Sequence, residues 1–242
     1  GVMAGSPCPE EIMRQVQQRM YMKEVEVCYG MTETSPVSTQ TMIGTPLEKQ
    51  VSTVGTVMDH LEIKIVNPST GSILPVGQKG EFCARGYSVM LKYWNNPSAT
   101  HAAIDEGRWM HSGDEGFMDE DGYITITGRI KDIIIRGGEN ISPKEIEDFL
   151  YLHDAIQDVQ VIGVPDKKFG EEVMAWVKLK DGMVAYEEDL KRYCKNHIAY
   201  FKIPKYWKFV DSFPMTITGK IRKGEMREMA IEELGLATLN NE

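Results

Sequence analysis

The sequence has little cysteine and none of it clustered: Cys8, Cys28, Cys83 and Cys194 are scattered through 242 residues without a C-x-x-C pair. That spacing points neither to a zinc site nor to a disulfide framework, and a reducing, cytoplasmic setting is the expectation. Positive charge is also short, with 27 Lys and Arg against 36 Asp and Glu, a net charge of −9. A nucleic-acid backbone or an anionic membrane is therefore excluded as the general partner, although a local basic site is not. No apolar run approaches the roughly 20 residues that cross a bilayer. The opening "GVMAGSPCPE" lacks both an initiator Met and the charged start and apolar core of a signal peptide. It reads as a short buried strand running into a turn, so the chain is expected to begin inside a fold. Repeats, low-complexity tracts and a Gly/Ser/Pro-rich linker near residue 128 are lacking as well, so composition marks no domain boundary.

What is present suits a soluble globular chain, since 42% of the residues are hydrophobic. Residues 9–22 are helix-permissive, with Ile12, Val16 and Met20 spaced as one apolar stripe, and "EVEVCYG" then alternates into a strand ending at Gly30. Strand, helix and strand in succession make an α/β unit, whose loops at strand C-termini are where ligands sit. From about Val51 to Thr127 the pattern becomes short alternating runs, "LEIKIV", "GEFCARG" and "YITITG", separated by "NPSTG", "PVGQKG" and "DEDG". These predict a β-meander or barrel. After Asp132 helices return. "SPKEIEDFLYLH" offers Ser142 as N-cap, Pro143 at the first helical position and Glu145 three residues after the cap. Strands over "AIQDVQVIGV", "EEVMAWVKLK" and "KYWKFVDSFP" and helices over "YEEDLKRYCKNHI" and "KGEMREMAIEEL" complete an α+β unit.

Four short motifs carry polar groups of chemical interest. In "YGMTE" an aromatic face can stack on a flat base, the Thr32 hydroxyl can donate to phosphate, and Glu33 is a hard ligand for Mg²⁺. An ordinary strand-end turn explains the same five residues. In "HSGDEG" the Asp114 carboxylate can accept from both hydroxyls of a ribose diol, with the Arg129 guanidinium helping, although a Gly-bounded turn explains that Asp equally well. "GRIKDIIIRGGEN" crowds Arg129, Lys131 and Asp132 before a strand-like Ile133–Ile135 and then places Gly137 and Gly138 together, which a simple strand-to-helix turn also accounts for. In "TITGK" a lysine follows a glycine, where a mobile point charge can meet a phosphate or carboxylate, or simply solvent.

These four motifs, in this order, resemble the adenylate-forming superfamily of acyl-CoA synthetases, nonribosomal-peptide adenylation domains and beetle luciferases. The resemblance spans essentially the whole chain, including "GEFCARGYSVMLKYWNNPSAT" and "GVPDKKFGEEVMAWV". "MAGSPCP" with "YGMTETSPVSTQT" is most similar to the medium-chain fatty-acyl-CoA synthetases. The family's reaction is adenylation of a carboxylic acid by ATP, followed by displacement of AMP by the CoA thiol. The resemblance implies that Gly5, Ser6 and Pro7 lie along the adenine and acyl site. Tyr29 and Gly30 would lie beside adenine, Thr32 at the α-phosphate, Glu33 on Mg²⁺, and Asp114 and Arg129 at the ribose. Lys220 would bridge the acid and the α-phosphate, so that Lys220, Thr32 and Glu33 form the catalytic set. Lys131 would be the hinge, and Gly137, Gly138 and Glu139 would meet the phosphopantetheine arm of CoA.

The implied organisation is α/β and α+β multidomain. Residues 1–50 would end an α/β subdomain, 51–128 form a β-barrel-like subdomain, 129–131 the hinge, and 132–242 a small mobile C-terminal domain. The family's Gly/Ser/Thr-rich phosphate loop is not found before "YGMTE", so the chain is expected to be the C-terminal half of a longer enzyme, inactive alone. Apolar surface left uncovered would then favour self-association, a homodimer included. The substrates implied are a fatty acid, ATP and CoA, with no nucleic acid and no membrane span. An adenylation domain loading a carrier protein and a non-catalytic nucleotide-binding module are the competing readings. The presence of Lys220, Asp114 and Arg129 speaks against the second.

Overall fold

The structure, a computed structural model, describes all residues except 6, 7, 9, 218 and 237–242. Its contacts divide the chain into two compact units, Gly1–Ile130 and Lys131–Glu242.

In the first unit β1 (Val2–Met3) lies parallel to β2 (Glu26–Tyr29), with α1 (Glu10–Arg19) connecting them. β3 (Thr39–Gln40) and β4 (Thr56–Val57) extend this sheet antiparallel, and α2 (Leu47–Ser52) lies between them in sequence. The core here gathers Met13, Val25 and Val27 with Val16, Leu47 and Val51. The predicted stripe on α1 is therefore displaced: Met13 is fully buried, whereas Ile12 is 44% and Met20 63% exposed. Four-residue spacing drifts by about 40° per step around a helix of 3.6 residues per turn. The i, i+3 pair Met13 and Val16 keeps to the core better, and Met20 lies beyond the helix end.

A second sheet is the expected meander: β5 (Leu61–Val66), β6 (Gly80–Gly86), β7 (Met110–Met118) and β8 (Ile124–Arg129), all antiparallel. Three of these strands match the alternating runs of the sequence. The strand β7 does not, because "MHSGDEGFM" carries two glycines and four polar residues and reads as a turn. Between β6 and β7 comes α3 (Pro97–Ala103), started by Asn96, whose side chain accepts from the Ala99 N–H at 3.0 Å, and by Pro97 at its first position. Ile65, Phe82, Ala84 and Ile124 form the core of this sheet, and Tyr29 packs against it.

The second unit is built on one sheet. β9 (Ile134–Arg136) and β10 (Glu139–Ile141) form a hairpin, α4 (Pro143–Leu150) follows, and β11 (Ile156–Asp166) pairs antiparallel with β12 (Gly170–Leu179). After α5 (Glu187–Cys194), β13 (Tyr206–Phe209) joins β12 in parallel, and α6 (Lys223–Glu233) ends the described elements. "VMAWV" is apolar throughout because both faces of β12 are covered. Val173, Ala175 and Val177 face the core that contains Ile146, Leu150 and Leu190, while Met174 and Trp176 face the one that contains Phe213, Met226 and Ala230. Ser142 and Pro143 start α4 as expected, but Glu145 pairs with Lys202 at 2.5 Å and the Ser142 side chain makes no cap hydrogen bond. The capping box is not formed.

Candidate functional site

β2 ends at Tyr29 and β7 and β8 run side by side, which brings together three of the predicted residues. The Tyr29 hydroxyl donates to Asp114 Oδ2 at 2.6 Å, and Arg129 Nε approaches Asp114 Oδ1 at 3.0 Å. Asp114 and Arg129 are register partners across β7 and β8. A Gly-bounded turn is the sequence expectation for Asp114; the residue instead lies inside β7, in the stretch where the register with β6 shifts. The carboxylate is buried, the residue being 6% exposed, while half of the Arg129 side chain is open to solvent. Burial, and next the charge of Asp114, push the Tyr29 phenol well above its ordinary pKa, so Tyr29 stays a donor. Its ring meets Phe82 edge to face at 5.1 Å. The result is an anionic acceptor between one hydroxyl donor and a half-exposed guanidinium, suited to a vicinal diol.

Directly after β2 and Gly30 the chain makes a short 3₁₀ turn, Thr32–Thr34. The buried Thr34 hydroxyl accepts from the Met31 N–H and donates to the Met31 carbonyl, both at 3.1 Å, which leaves Thr32 exposed and Glu33 half-buried. Glu33 is held twice from a distant part of the sequence. Its carbonyl accepts from Met90 N–H and its Oε1 from the Tyr93 hydroxyl, both at 2.8 Å. Sequence reasoning missed Tyr93, because 60 residues separate it from Glu33 and nothing local to either stretch joins them. Glu33 forms no ion pair with any cationic side chain among the described residues, so its carboxylate is a hard oxygen donor fit for Mg²⁺. Gly5 is exposed next to β1, and Ser6 and Pro7 lie outside the described residues.

Lys131, Gly137, Gly138, Glu139 and Lys220 belong to the second unit. Lys131 is its first residue, exposed within a 3₁₀ turn over Ile130–Asp132. Gly137 and Gly138 form the loop of the β9–β10 hairpin with φ of +59° and +90°, the pair of positive values that a tight two-residue hairpin requires. The turn into a helix considered from sequence is thus a turn into the strand Glu139–Ile141. A Cβ at Gly137 would approach the Phe169 ring at 3.1 Å, and its N–H donates to the Phe169 carbonyl at 2.8 Å. Arg136, beside the loop, stacks on Phe169 at 4.1 Å and forks onto Glu172 at 2.8 and 2.9 Å. Lys220 sits on a tight loop between bridge partners Met215 and Ile221, its N–H donating to Thr216 Oγ1 at 3.0 Å. Its exposed ammonium forms no ion pair among the described residues.

Residues 1–94 match the AMP-binding enzyme family, and residues 145–220 match the AMP-binding enzyme C-terminal domain. Over 98% of its length the chain is 52% identical to YngI of Bacillus subtilis (strain 168), which carries an acyl-CoA synthetase name, covering 43% of that protein. It is 48% identical, again over 98% of its length, to the mitochondrial medium-chain acyl-CoA ligase ACSF2 of Danio rerio, covering 39% of it. Among solved structures, ATP-bound MatB from Rhodopseudomonas palustris superposes with a TM-score of 0.87 at 32% identity, over 95% of this chain and 45% of that one. o-Succinylbenzoate CoA synthetase (MenE) from Bacillus subtilis, in complex with the acyl-adenylate intermediate OSB-AMP, gives 0.83 at 29% identity, over 93% of this chain and 45% of that one. The chain thus spans about two-fifths of the length of the curated relatives it matches.

Proposed function

The chain belongs to the AMP-binding enzyme family, and from that premise we propose that it contributes the ribose, metal and thiol-presenting parts of an acyl-CoA synthetase acting on a medium-chain fatty acid. The observation that carries this reading is the buried Asp114 carboxylate held between the Tyr29 hydroxyl and the Arg129 guanidinium, with Glu33 following Tyr29 within one short turn.

In this reading ATP lies with its ribose diol on Asp114 and Arg129, its adenine beside Tyr29, Gly30 and the Gly5–Pro7 stretch, and its α-phosphate at the Thr32 hydroxyl. The fatty-acid carboxylate attacks the α-phosphorus, the bond to the pyrophosphate oxygen breaks, and an acyl-adenylate forms. Lys220 places one positive charge between the attacking carboxylate and the α-phosphate oxygens, where negative charge accumulates. Mg²⁺ at Glu33 would supply neutralisation of phosphate charge. In the second step the CoA thiol sulfur bonds to the acyl carbon and AMP leaves. The exposed Gly137–Gly138 loop with Glu139 is the assigned neighbour of the CoA arm, since two residues without side chains leave room for a narrow chain. Lys131 is the assigned hinge, supported by its exposure and by the boundary between units falling at Ile130 and Lys131. The proposed partition is an α/β subdomain end over 1–50, a β subdomain over 51–128, the hinge at 129–131 and a mobile domain over 132–242.

Among the described residues no helix is long and apolar enough to cross a membrane. A cytoplasmic location is proposed, supported by four free, buried cysteines. Self-association is proposed on the exposed Val2, Ile12, Met20 and Tyr21.

The test is carboxylate-dependent ATP–pyrophosphate exchange by the longest natural chain that carries these residues, across short-, medium- and long-chain acids, with Lys220→Ala in parallel. Exchange with medium-chain acids that the substitution abolishes is expected. Absence of exchange with every acid, in folded protein, would overturn the proposal.

A further inference from the structure

The bulge beside Asp114 is braced from behind by groups that the proposed reaction does not use. Between the register pairs Glu81↔Glu115 and Cys83↔His111, a single residue of β6, Phe82, faces three of β7: Ser112, Gly113 and Asp114. Gly113 takes φ of +71°, so the chain there leaves the extended path and its N–H can no longer follow the ladder. That N–H donates to Glu81 Oε1 at 3.0 Å. The next one, Asp114 N–H, donates to Ser112 Oγ at 3.0 Å, and the Ser112 hydroxyl donates to the Phe82 carbonyl at 2.7 Å. The other oxygen of Glu81 accepts from His111 Nδ1 at 2.8 Å, and His111 Nε2 lies 3.6 Å from Asp105 Oδ2. The Glu81 side chain is 13% exposed, so little water competes for these bonds.

Glu81, Cys83 and His111 bring three ligand atoms within 4.8 Å of one another, a spacing that suits a metal ion. Both Glu81 oxygens already accept from protein donors, however, and burial pushes the Cys83 thiol up to about 12, which keeps it protonated. The cluster is complete as a hydrogen-bonded brace.

We propose that Glu81 is a positioning residue for nucleotide recognition: by holding the Gly113 N–H it fixes the bulge that aims the Asp114 carboxylate at the ribose diol. The proposal rests on the ribose reading of Asp114 given above. A carboxylate that sets the backbone one residue before Asp114 acts on diol geometry and not on the base or phosphates. Its removal therefore weakens nucleotides that carry the diol and spares those that do not.

The experiment compares KM and kcat for ATP, 3′-deoxy-ATP and 2′,3′-dideoxy-ATP in the longest natural chain carrying these residues, for wild type, Glu81→Ala, Glu81→Gln, Asp114→Asn and the Glu81→Ala/Asp114→Asn double variant. Loss of a hydrogen bond to a charged group predicts a rise in KM for ATP of roughly tenfold in Glu81→Ala. KM for the dideoxy nucleotide should change by less than about twofold, since that ligand makes no diol contact to lose. Glu81→Gln keeps a carbonyl oxygen for the Gly113 N–H and should recover most of the loss. The double variant should be no worse than Asp114→Asn, because the two residues act as one unit. Equal weakening toward all three nucleotides, or additive losses in the double variant, would overturn the proposal while leaving the ribose reading intact. If Asp114→Asn itself leaves the preference for the diol unchanged, the ribose reading fails and the role of Glu81 falls with it. Should Glu81→Ala not fold, His111→Ala takes its place: it deprives Glu81 Oε2 of its donor, and a rise in KM for ATP that spares the dideoxy nucleotide is again expected.

Discussion

Replacing Glu172 by Gln should destabilise the second unit by an amount that can be worked from its surroundings. Glu172 is 3% exposed, and both of its oxygens receive the Arg136 fork, at 2.8 Å to Nε and 2.9 Å to Nη2. Gln keeps one acceptor, so one of the two charge-assisted bonds is lost and the remaining one becomes neutral on the acceptor side. The larger cost is the guanidinium, whose side chain is only 17% exposed and stacks on Phe169. Leaving a partly buried charge without its counter-charge typically costs about 3–5 kcal/mol; the residual exposure of Arg136 places the expectation near the lower end, about 3 kcal/mol. For a unit of this size that corresponds to a fall in Tm of roughly 10 °C or more. Thermal unfolding followed by tryptophan emission reports on it, since Trp176 is 1% exposed in that unit. Hydrogen exchange at Ile135–Ile141 should also rise, because Arg136 anchors one side of the glycine hairpin. Arg136→Met combined with Glu172→Leu should regain most of the loss, as a matched apolar pair leaves no orphaned charge. The reasoning is refuted if Glu172→Gln costs less than about 1 kcal/mol, or if the apolar pair is as unstable as the single variant.

Two further expectations follow from groups with displaced pKa values. The Lys205 ammonium at 2.9 Å, and next the Phe169 N–H, hold the Asp166 carboxyl at about 2, below its ordinary 3.8. A depressed carboxyl stabilises the fold above the unfolded pKa and loses that contribution as pH falls through the folded one. Asp166→Asn should therefore cost about 1 kcal/mol at pH 6, after discounting for a lysine that is 46% exposed, and almost nothing near pH 2, as urea unfolding at both pH values would read. A cost that did not change with pH would contradict the assignment. The four cysteines are all buried, and burial lifts Cys83 to about 12 and Cys194 to about 11. Iodoacetamide at pH 8 should alkylate these two at least about 100-fold more slowly in native than in denatured protein. Rapid native labelling of Cys83 would show that the brace around Glu81 is open.

Much of the fold was legible because local rules and tertiary structure agree. "LEIKIV" and "GEFCARG" alternate and coincide with β5 and β6, "VMAWV" reads as a strand covered on both faces, and Pro143 marks the start of α4. Where they disagree, the sequence misleads for a stated reason. Ile12, Val16 and Met20 look like a stripe, but the helix turn puts Met13 inside. "MHSGDEGFM" has no apolar alternation, and its pairing with β6 is interrupted by a register shift that local sequence does not signal.

By itself the sequence determined which chemical groups are available and in what order, since the types and local spacing of Tyr29, Glu33, Asp114, Arg129 and Lys220 are properties of the chain. Family membership was legible for the same reason. Tertiary structure alone decided that Tyr29 meets Asp114, 85 positions further along the chain, that Tyr93 holds Glu33, and that Glu81 braces the backbone of Gly113. These are contacts between strands and loops far apart in the chain, and hydrogen bonds that depend on a bulge and a register leave no periodic trace along it.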